Sequence, residues 1–273
     1  MDQRAHGRVA IVTGASRGLG EAIAVRLAEE GVRVSASART LAPDPRYTGS
    51  LEETVGRIRA AGGDVVPIQC DLANPEDRRH LVAATVERLG PVDILVNNAA
   101  VTYLQPFTEF AEKRWRLMFE VQVRAPYELA QLVVPGMQNR KRGWILNITS
   151  RAGIHAHGPP YDPVFKQGFT VYGMVKAALD RFTTGLAAEL YDDGIAVNSL
   201  APWDNVATPG AGAHDLVDKF ATEDPEWVAE AALALCTADP SRLTGRVAYS
   251  QPLLAELQLR PKARATSRDV EVR

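Results

Sequence analysis

The segment Val9-Ala10-Ile11-Val12-Thr13-Gly14-Ala15-Ser16-Arg17-Gly18-Leu19-Gly20 is a continuous apolar run broken off by glycines. Such a run reads as a buried strand that enters a helix through a tight turn. Glycine lets the backbone turn sharply and approach a bound group closely. The N–H groups and dipole of the helix that follows then attract phosphate. The spacing is Gly-x-x-x-Gly-x-Gly rather than the common Gly-x-Gly-x-x-Gly fingerprint. On its own it fits the packing of a strand–helix turn as well as it fits a ligand.

Downstream, apolar runs alternate with amphipathic stretches, the pattern of an α/β doubly wound parallel sheet with helices on both faces. The expected strands are 9–13, 32–37, 65–70, 93–96, 144–148 and 195–200, with 246–249 as an edge strand, giving about seven. Gly31 is expected to end the first helix, and Asn74-Pro75-Glu76-Asp77 has the cap, proline and acids of a helix start. A long helix is expected over 113–138 with Pro126 disturbing it midway, another over 172–192, and a final surface helix over 225–235. Residues 204–225 read as a substrate loop, and 260–273 as a flexible tail. No composition shift marks a boundary, so residues 1–273 are expected to form a single domain.

A chain of 273 residues can bury a core without staples. A net charge of −2 gives no reason to expect nucleic acid or an anionic membrane surface as a partner. Cys70 and Cys236 make no disulfide framework, which suits a reducing cytoplasm. The first six residues lack a signal-peptide apolar region, and no stretch is long enough to cross a bilayer, so no membrane association is expected.

A second signal lies far from the first. Tyr172-Gly173-Met174-Val175-Lys176 sets a phenol and an ammonium four positions apart, on one helix face. A free tyrosine titrates near pH ~10, so about one in a thousand is ionised at neutrality. A fixed positive charge nearby favours the ionised form. A drop of ~3 units requires roughly 4 kcal/mol and would poise the phenol for proton transfer near neutral pH. The pair therefore predicts a tyrosine made acidic by its lysine.

Together these segments resemble the short-chain dehydrogenase/reductase family, in its single-domain branch. The matching residues are Thr13-Gly14-x-x-x-Gly18-x-Gly20, Cys70-Asp71-Leu72, Asn97-Asn98-Ala99-Ala100, Asn147-Ile148-Thr149-Ser150, Tyr172-x-x-x-Lys176 and Asn198-x-x-x-Pro202. They occur in family order over residues 7–250. The resemblance implies a Rossmann-type fold and an NAD(P)-dependent oxidoreductase moving hydride between nicotinamide and a small-molecule alcohol or carbonyl. Tyr172 would be the general acid/base, and Lys176 would lower its pKa and bond the nicotinamide ribose. Ser150 follows an apolar strand, where open α/β sheets place ligands, and its hydroxyl can donate to the carbonyl oxygen.

Two departures from the family pattern stand out. Gln122, in Val121-Gln122-Val123-Arg124, occupies the place of an asparagine thought to hold a relay water near the lysine; the longer amide either reaches that water or points elsewhere. Ser150 and Tyr172 lie 22 positions apart, further than in most relatives, which implies inserted residues within 151–171 that form an active-site rim loop. That loop holds His155 and His157, but no further ligands for a metal are evident, so no metal site is expected. Trp203 follows Pro202 and serves either as a wall of the site or as packing.

The implied cofactor set is Gly14, Ser16, Arg17, Gly18, Leu19 and Gly20 in the turn, Asp71 and Leu72 at the adenine and Asn98 and Ala99 at its ribose. Pro202, Val206, Tyr172 and Lys176 complete it. Asn97 and Asn147 are expected to bridge strands. The second strand leads into Ser35-Ala36-Ser37-Ala38-Arg39-Thr40, with no acid to bond a ribose 2′-hydroxyl. Arg39 and Arg17 can clamp a 2′-phosphate instead, which favours NADP; with Arg39 merely solvated, NAD is the cofactor. By resemblance alone, the chain would form a homotetramer or homodimer through its two long helices. The alternative reading is a non-catalytic NADP-binding regulatory protein on the same fold.

Overall fold

The computed structural model describes residues 5–44, 48–161, 168–206 and 222–262. Among them, seven parallel strands form one sheet in the order β3-β2-β1-β4-β5-β6-β9. These are β1 (Val9–Thr13), β2 (Arg33–Ala38), β3 (Val65–Gln69), β4 (Ile94–Asn97), β5 (Gly143–Ile148), β6 (Ile195–Ala201) and β9 (Val247–Tyr249). The expected strands are all present, with ends moved by a residue or two.

Each strand serves two cores, because successive side chains point to opposite faces. On β1, Ala10 and Val12 join one apolar cluster and Ile11 the other. The first face is covered by α1 (Gly18–Glu29), α2 (Leu51–Ala60), α7 (Pro225–Thr237) and α8 (Ser250–Glu256). The second is covered by α3 (Pro75–Leu89), α5 (Ala125–Arg140) and α6 (Thr170–Glu189). Local chemistry sets the helix starts. Ser50 and Glu53 form a reciprocal capping box at α2, and the Asn74 side chain accepts from Glu76 N ahead of Pro75 at α3. Gly31, at φ +80°, takes the left-handed turn after α1 as expected.

Two expectations are corrected. The helix over 225–235 is neither final nor at the surface. It runs Pro225–Thr237 as α7, most of its residues are buried, and it packs on α1. Its run from Val228 to Cys236 is apolar on every side except at Glu230, and such a helix belongs in a core. Glu230 is accommodated by Arg26 of α1, Nε to Oε2 at 2.8 Å. α8 then follows β9.

The expected loop over 204–225 is partly ordered. Its two ends pair as β7 (Asn205–Val206) and β8 (Thr222–Glu223) in a short parallel ladder, while 207–221 lie outside the described residues. Of the expected tail, 263–273 lie outside them too.

The long helix is a composite. α4 (Glu112–Phe119) passes into a π-helical turn, Glu120–Arg124, and then into α5. The disturbance expected at Pro126 takes this form, with the proline in the first turn of α5. A proline has no N–H to return to the carbonyl four residues back, here Gln122, and wider π-type turns occur where the regular ladder is interrupted.

Candidate active site

Six of the expected site segments leave the carboxyl ends of strands. The glycine turn follows β1, Arg39 follows β2, and Asp71-Leu72 lies just beyond β3. Asn98-Ala99 follows β4, Ser150 lies just beyond β5, and Pro202 follows β6. The order of the sheet reverses between β1 and β4, and open α/β sheets bind ligands at that switch point.

The glycine turn is shaped by contact with β4. Asn98 Nδ2 donates to the Thr13 carbonyl at 2.8 Å and to that of Gly14 at 3.3 Å. Thr13 Oγ1 accepts from the backbone N–H groups of Asn98 and Ala99 at 3.0 and 3.1 Å. A Cβ on Gly20 would lie 2.2 Å from the Gly14 oxygen and 2.3 Å from Asn98 Nδ2. Gly18 is left-handed at φ +58° where α1 begins. The N-cap residue of α1 is Arg17, whose side chain makes no capping hydrogen bond to the first turn.

The Asn98 side chain thus holds the glycine turn against the end of β4. Asn97 and Asn147 bridge strands as expected. Asn97 Nδ2 donates to Asn147 Oδ1 at 2.8 Å, and Asn147 Nδ2 to Thr183 on α6 at 2.8 Å. Leu72 is buried, Asp71 is exposed and turns back to cap Ala73 N, and Arg39 is exposed. The Arg17 Nε lies 3.5 Å from Ser16 Oγ. Val206 is buried on β7 and Pro202 half-buried.

The chemical residues converge despite their sequence separation. Ser150 caps a short turn, Arg151–Gly153, accepting from Ala152 N at 3.2 Å, and its hydroxyl lies near enough to the Tyr172 phenol to favour the phenolate. Lys176 is 3 % exposed, and its Nζ donates to the Ile148 carbonyl at 3.0 Å while standing 5.6 Å from the Tyr172 ring centre. Tyr172 is half-buried.

Burial corrects the expected acidity of the tyrosine. In the cofactor-free chain, desolvation pushes the Tyr172 phenol above its ordinary range, opposed by the nearby Ser150 hydroxyl. Lys176 is itself pushed down to about 8 by burial, offset in part by Asp180. The lysine is therefore less of a fixed charge than the sequence implied.

Gln122 is 1 % exposed; its Nε2 donates to the Val101 carbonyl at 2.7 Å, and its Oε1 has no protein partner. Trp203 packs edge-on against Tyr249, and the Arg151 guanidinium lies over its indole at 4.8 Å. Its N–H is held by Glu223 and Ser250 at 2.8 and 2.9 Å. Above Tyr172, Met118, Val171 and Val175 form an apolar cluster with Tyr103, Phe110 and Phe119 packed against it. In the rim loop, 162–167, including Phe165, lie outside the described residues. Among the described residues no group of three His, Cys, Asp or Glu is assembled as a metal site.

Sequence reasoning missed three residues. Thr13 ties the turn to β4, Asp180 continues the Tyr172/Lys176 spacing by one more turn, and Arg78 is fully buried behind Leu72. Only Asp180 carried a readable signal, the repeated interval of four.

A parallel sheet that reverses at β1/β4, with a glycine turn at the reversal, defines a Rossmann-like α/β protein. The family model for short chain dehydrogenase matches residues 8–213. The chain belongs to the short-chain dehydrogenase family. It is similar to a short chain dehydrogenase of Mycobacterium thermoresistibile, with a TM-score of 0.81 and 32 % identity over 93 % of this chain and 89 % of that one. A metagenomic short-chain oxidoreductase crystallised in complex with NADP matches with a TM-score of 0.72 and 28 % identity, over 96 % of this chain and all of that one. Among curated proteins, Hydroxysteroid dehydrogenase-like protein 2 of Danio rerio is 29 % identical over 91 % of this chain. The chain spans 58 % of that relative's length.

Proposed function

We propose that the chain is an NAD(P)-dependent oxidoreductase that transfers hydride between nicotinamide and an alcohol or carbonyl substrate. The observation that carries this reading is the packing of the Ser150 turn on α6 beside Tyr172, with Lys176 one helical turn further along. The first-turn N–H groups of α1, with Arg17 at its start, fit a pyrophosphate. Arg39 beyond β2, and the absence of an acid in 35–40, support NADP over NAD, as does NADP in the metagenomic relative.

The bound nicotinamide supplies or accepts the hydride. Ser150 donates a hydrogen bond to the substrate oxygen and orients it. Tyr172 gives its proton to that oxygen in reduction and takes it back in oxidation. Lys176 keeps two N–H donors beyond the one spent on Ile148, enough for a ribose hydroxyl and a water. Its positive charge favours the phenolate and opposes the desolvation that raises Tyr172.

Gln122 serves the relay through its backbone rather than by aiming its amide at the lysine. Its Nε2 holds Val101, and Pro126 returns no N–H to its carbonyl. The apolar cluster around Tyr103, Phe110 and Phe119 suits a substrate with an apolar body. The exposed Tyr127 and Leu132 on α5 support assembly into a homodimer or homotetramer through the long helices. Two buried free cysteines accord with a cytoplasmic location. The second reading, a non-catalytic NADP-binding regulator, draws on the Gln122 amide being directed to Val101.

A screen of aliphatic, terpenoid, steroid and aromatic alcohols with NADP and with NAD separates the two readings. Substrate-dependent reduction of the nicotinamide supports the enzyme, and cofactor binding with no turnover supports the regulator.

A further inference from the structure

Tyr172 and Lys176 are the first two members of a series. Continuing the same interval along α6 brings Asp180 to the same face. Its Oδ1 accepts from Ser199 Oγ of β6 at 2.8 Å, and the Thr149 hydroxyl, which donates to the Lys176 carbonyl at 3.5 Å, lies near enough to favour the charged carboxylate. Thr149 immediately precedes Ser150. On the other side of Ser150, a Cβ on Gly153 would meet Asp180 Oδ2 at 3.1 Å. The half-buried carboxylate thus touches the chain both before and after the serine.

The same carboxylate faces the lysine. Its field acts on Lys176 through space, against the burial that disfavours the ammonium. The other ionisable groups around the pair are Tyr172 on α6 and Tyr249 at the end of β9. The Tyr249 phenol is raised by burial and by Asp180 and lowered by Arg151. From β5 the lysine meets only the Ile148 carbonyl. Burial raises the Asp180 carboxyl, opposed by Ser199, Thr149 and the charge of Lys176, and its charge in turn favours the Lys176 ammonium.

We propose that Asp180 is a positioning residue for the catalytic group, bracing the strand exit that carries Ser150 and presenting the negative charge against which Lys176 is held. The proposal rests on the hydride-transfer reading above. Asp180 contacts neither substrate nor the reacting atoms; it acts through Thr149, Ser199 and Lys176.

The test compares Asp180→Asn, which keeps shape and an acceptor but loses the charge, with Ser199→Ala, which loses one brace and keeps the charge. NADPH binding is followed by fluorescence, and kcat by absorbance, from neutral to alkaline pH. In Asp180→Asn the alkaline loss of both is expected to move down by about one pH unit. In Ser199→Ala, kcat falls while both profiles keep the wild-type midpoints. Asp180→Glu restores the wild-type profile, and Asp180→Ser is the neutral substitute should the asparagine variant not fold. Superimposable profiles for the wild type and the neutral variants overturn the proposal. A wild-type chain that binds NADPH without any turnover sinks the hydride-transfer reading instead, while its binding profile still reports the charge of Asp180.

Discussion

Lys176 Nζ donates to the carbonyl of Ile148 at 3.0 Å, which anchors the ammonium under the end of β5, two residues before Ser150. Burial lowers its pKa from 10.5 to about 8, so the folded chain binds this proton less tightly than the unfolded chain. The resulting destabilisation is full below the folded value and disappears as pH rises through the unfolded one. Lys176→Met is therefore expected to stabilise the cofactor-free chain by about 1–3 kcal/mol at neutral pH, with a gain that shrinks in alkali. Thermal denaturation at two pH values checks this, and a neutral-pH melting point at or below wild type speaks against it.

Arg78 is fully buried on α3 and ion-paired with Glu120 Oε1 at 2.8 Å and Glu128 Oε2 at 2.6 Å. It also donates to the Leu72 carbonyl, so one guanidinium ties the expected adenine segment to the π-turn. Arg78→Met leaves two carboxylates facing an apolar chain, and its expected cost is about 3–5 kcal/mol in urea denaturation. Adding Glu120→Gln should recover part of that loss. Equal stability of the single and double variants would show that the pairing contributes nothing.

Gln122→Ala removes the bond to Val101 and opens space beside the π-turn. The expected result is a kcat at least about tenfold lower with an altered pH profile, and an unchanged KM for the cofactor. Turnover and pH profile both matching wild type would show that the Gln122 side chain and its bond to Val101 take no part in the relay.

The proposed preference for NADP rests on Arg39. Replacing it with an acid supplies the acceptor that a ribose 2′-hydroxyl requires and repels a 2′-phosphate. Arg39→Asp is expected to shift kcat/KM from NADP toward NAD by about tenfold or more. An unchanged ratio would locate the preference elsewhere.

The strands were legible because each is a short apolar run closed by a turn residue, and Val9–Thr13 needs no partner to be recognised. The helix starts at Ser50 and Asn74 rest on local hydrogen bonds, although only the second was read in advance. What the sequence hid depends on distant pairing. Arg78 looks like one more surface cation until Glu120, 42 positions away, closes on it. α7 looked amphipathic because Glu230 gives it a polar point, but its charge is absorbed by Arg26, 204 positions away. The catalytic pair was found by its spacing, while its acidity was misjudged. Spacing reports proximity and says nothing of desolvation, which here raises the tyrosine and lowers the lysine.

The central claim is that the Tyr172 phenol moves the proton. The direct measurement is substrate-dependent nicotinamide absorbance for wild type and Tyr172→Phe, alongside NADPH binding by fluorescence. The account predicts that the variant binds NADPH within about threefold of wild type and loses at least about a hundredfold in kcat. A variant that keeps wild-type turnover would contradict it.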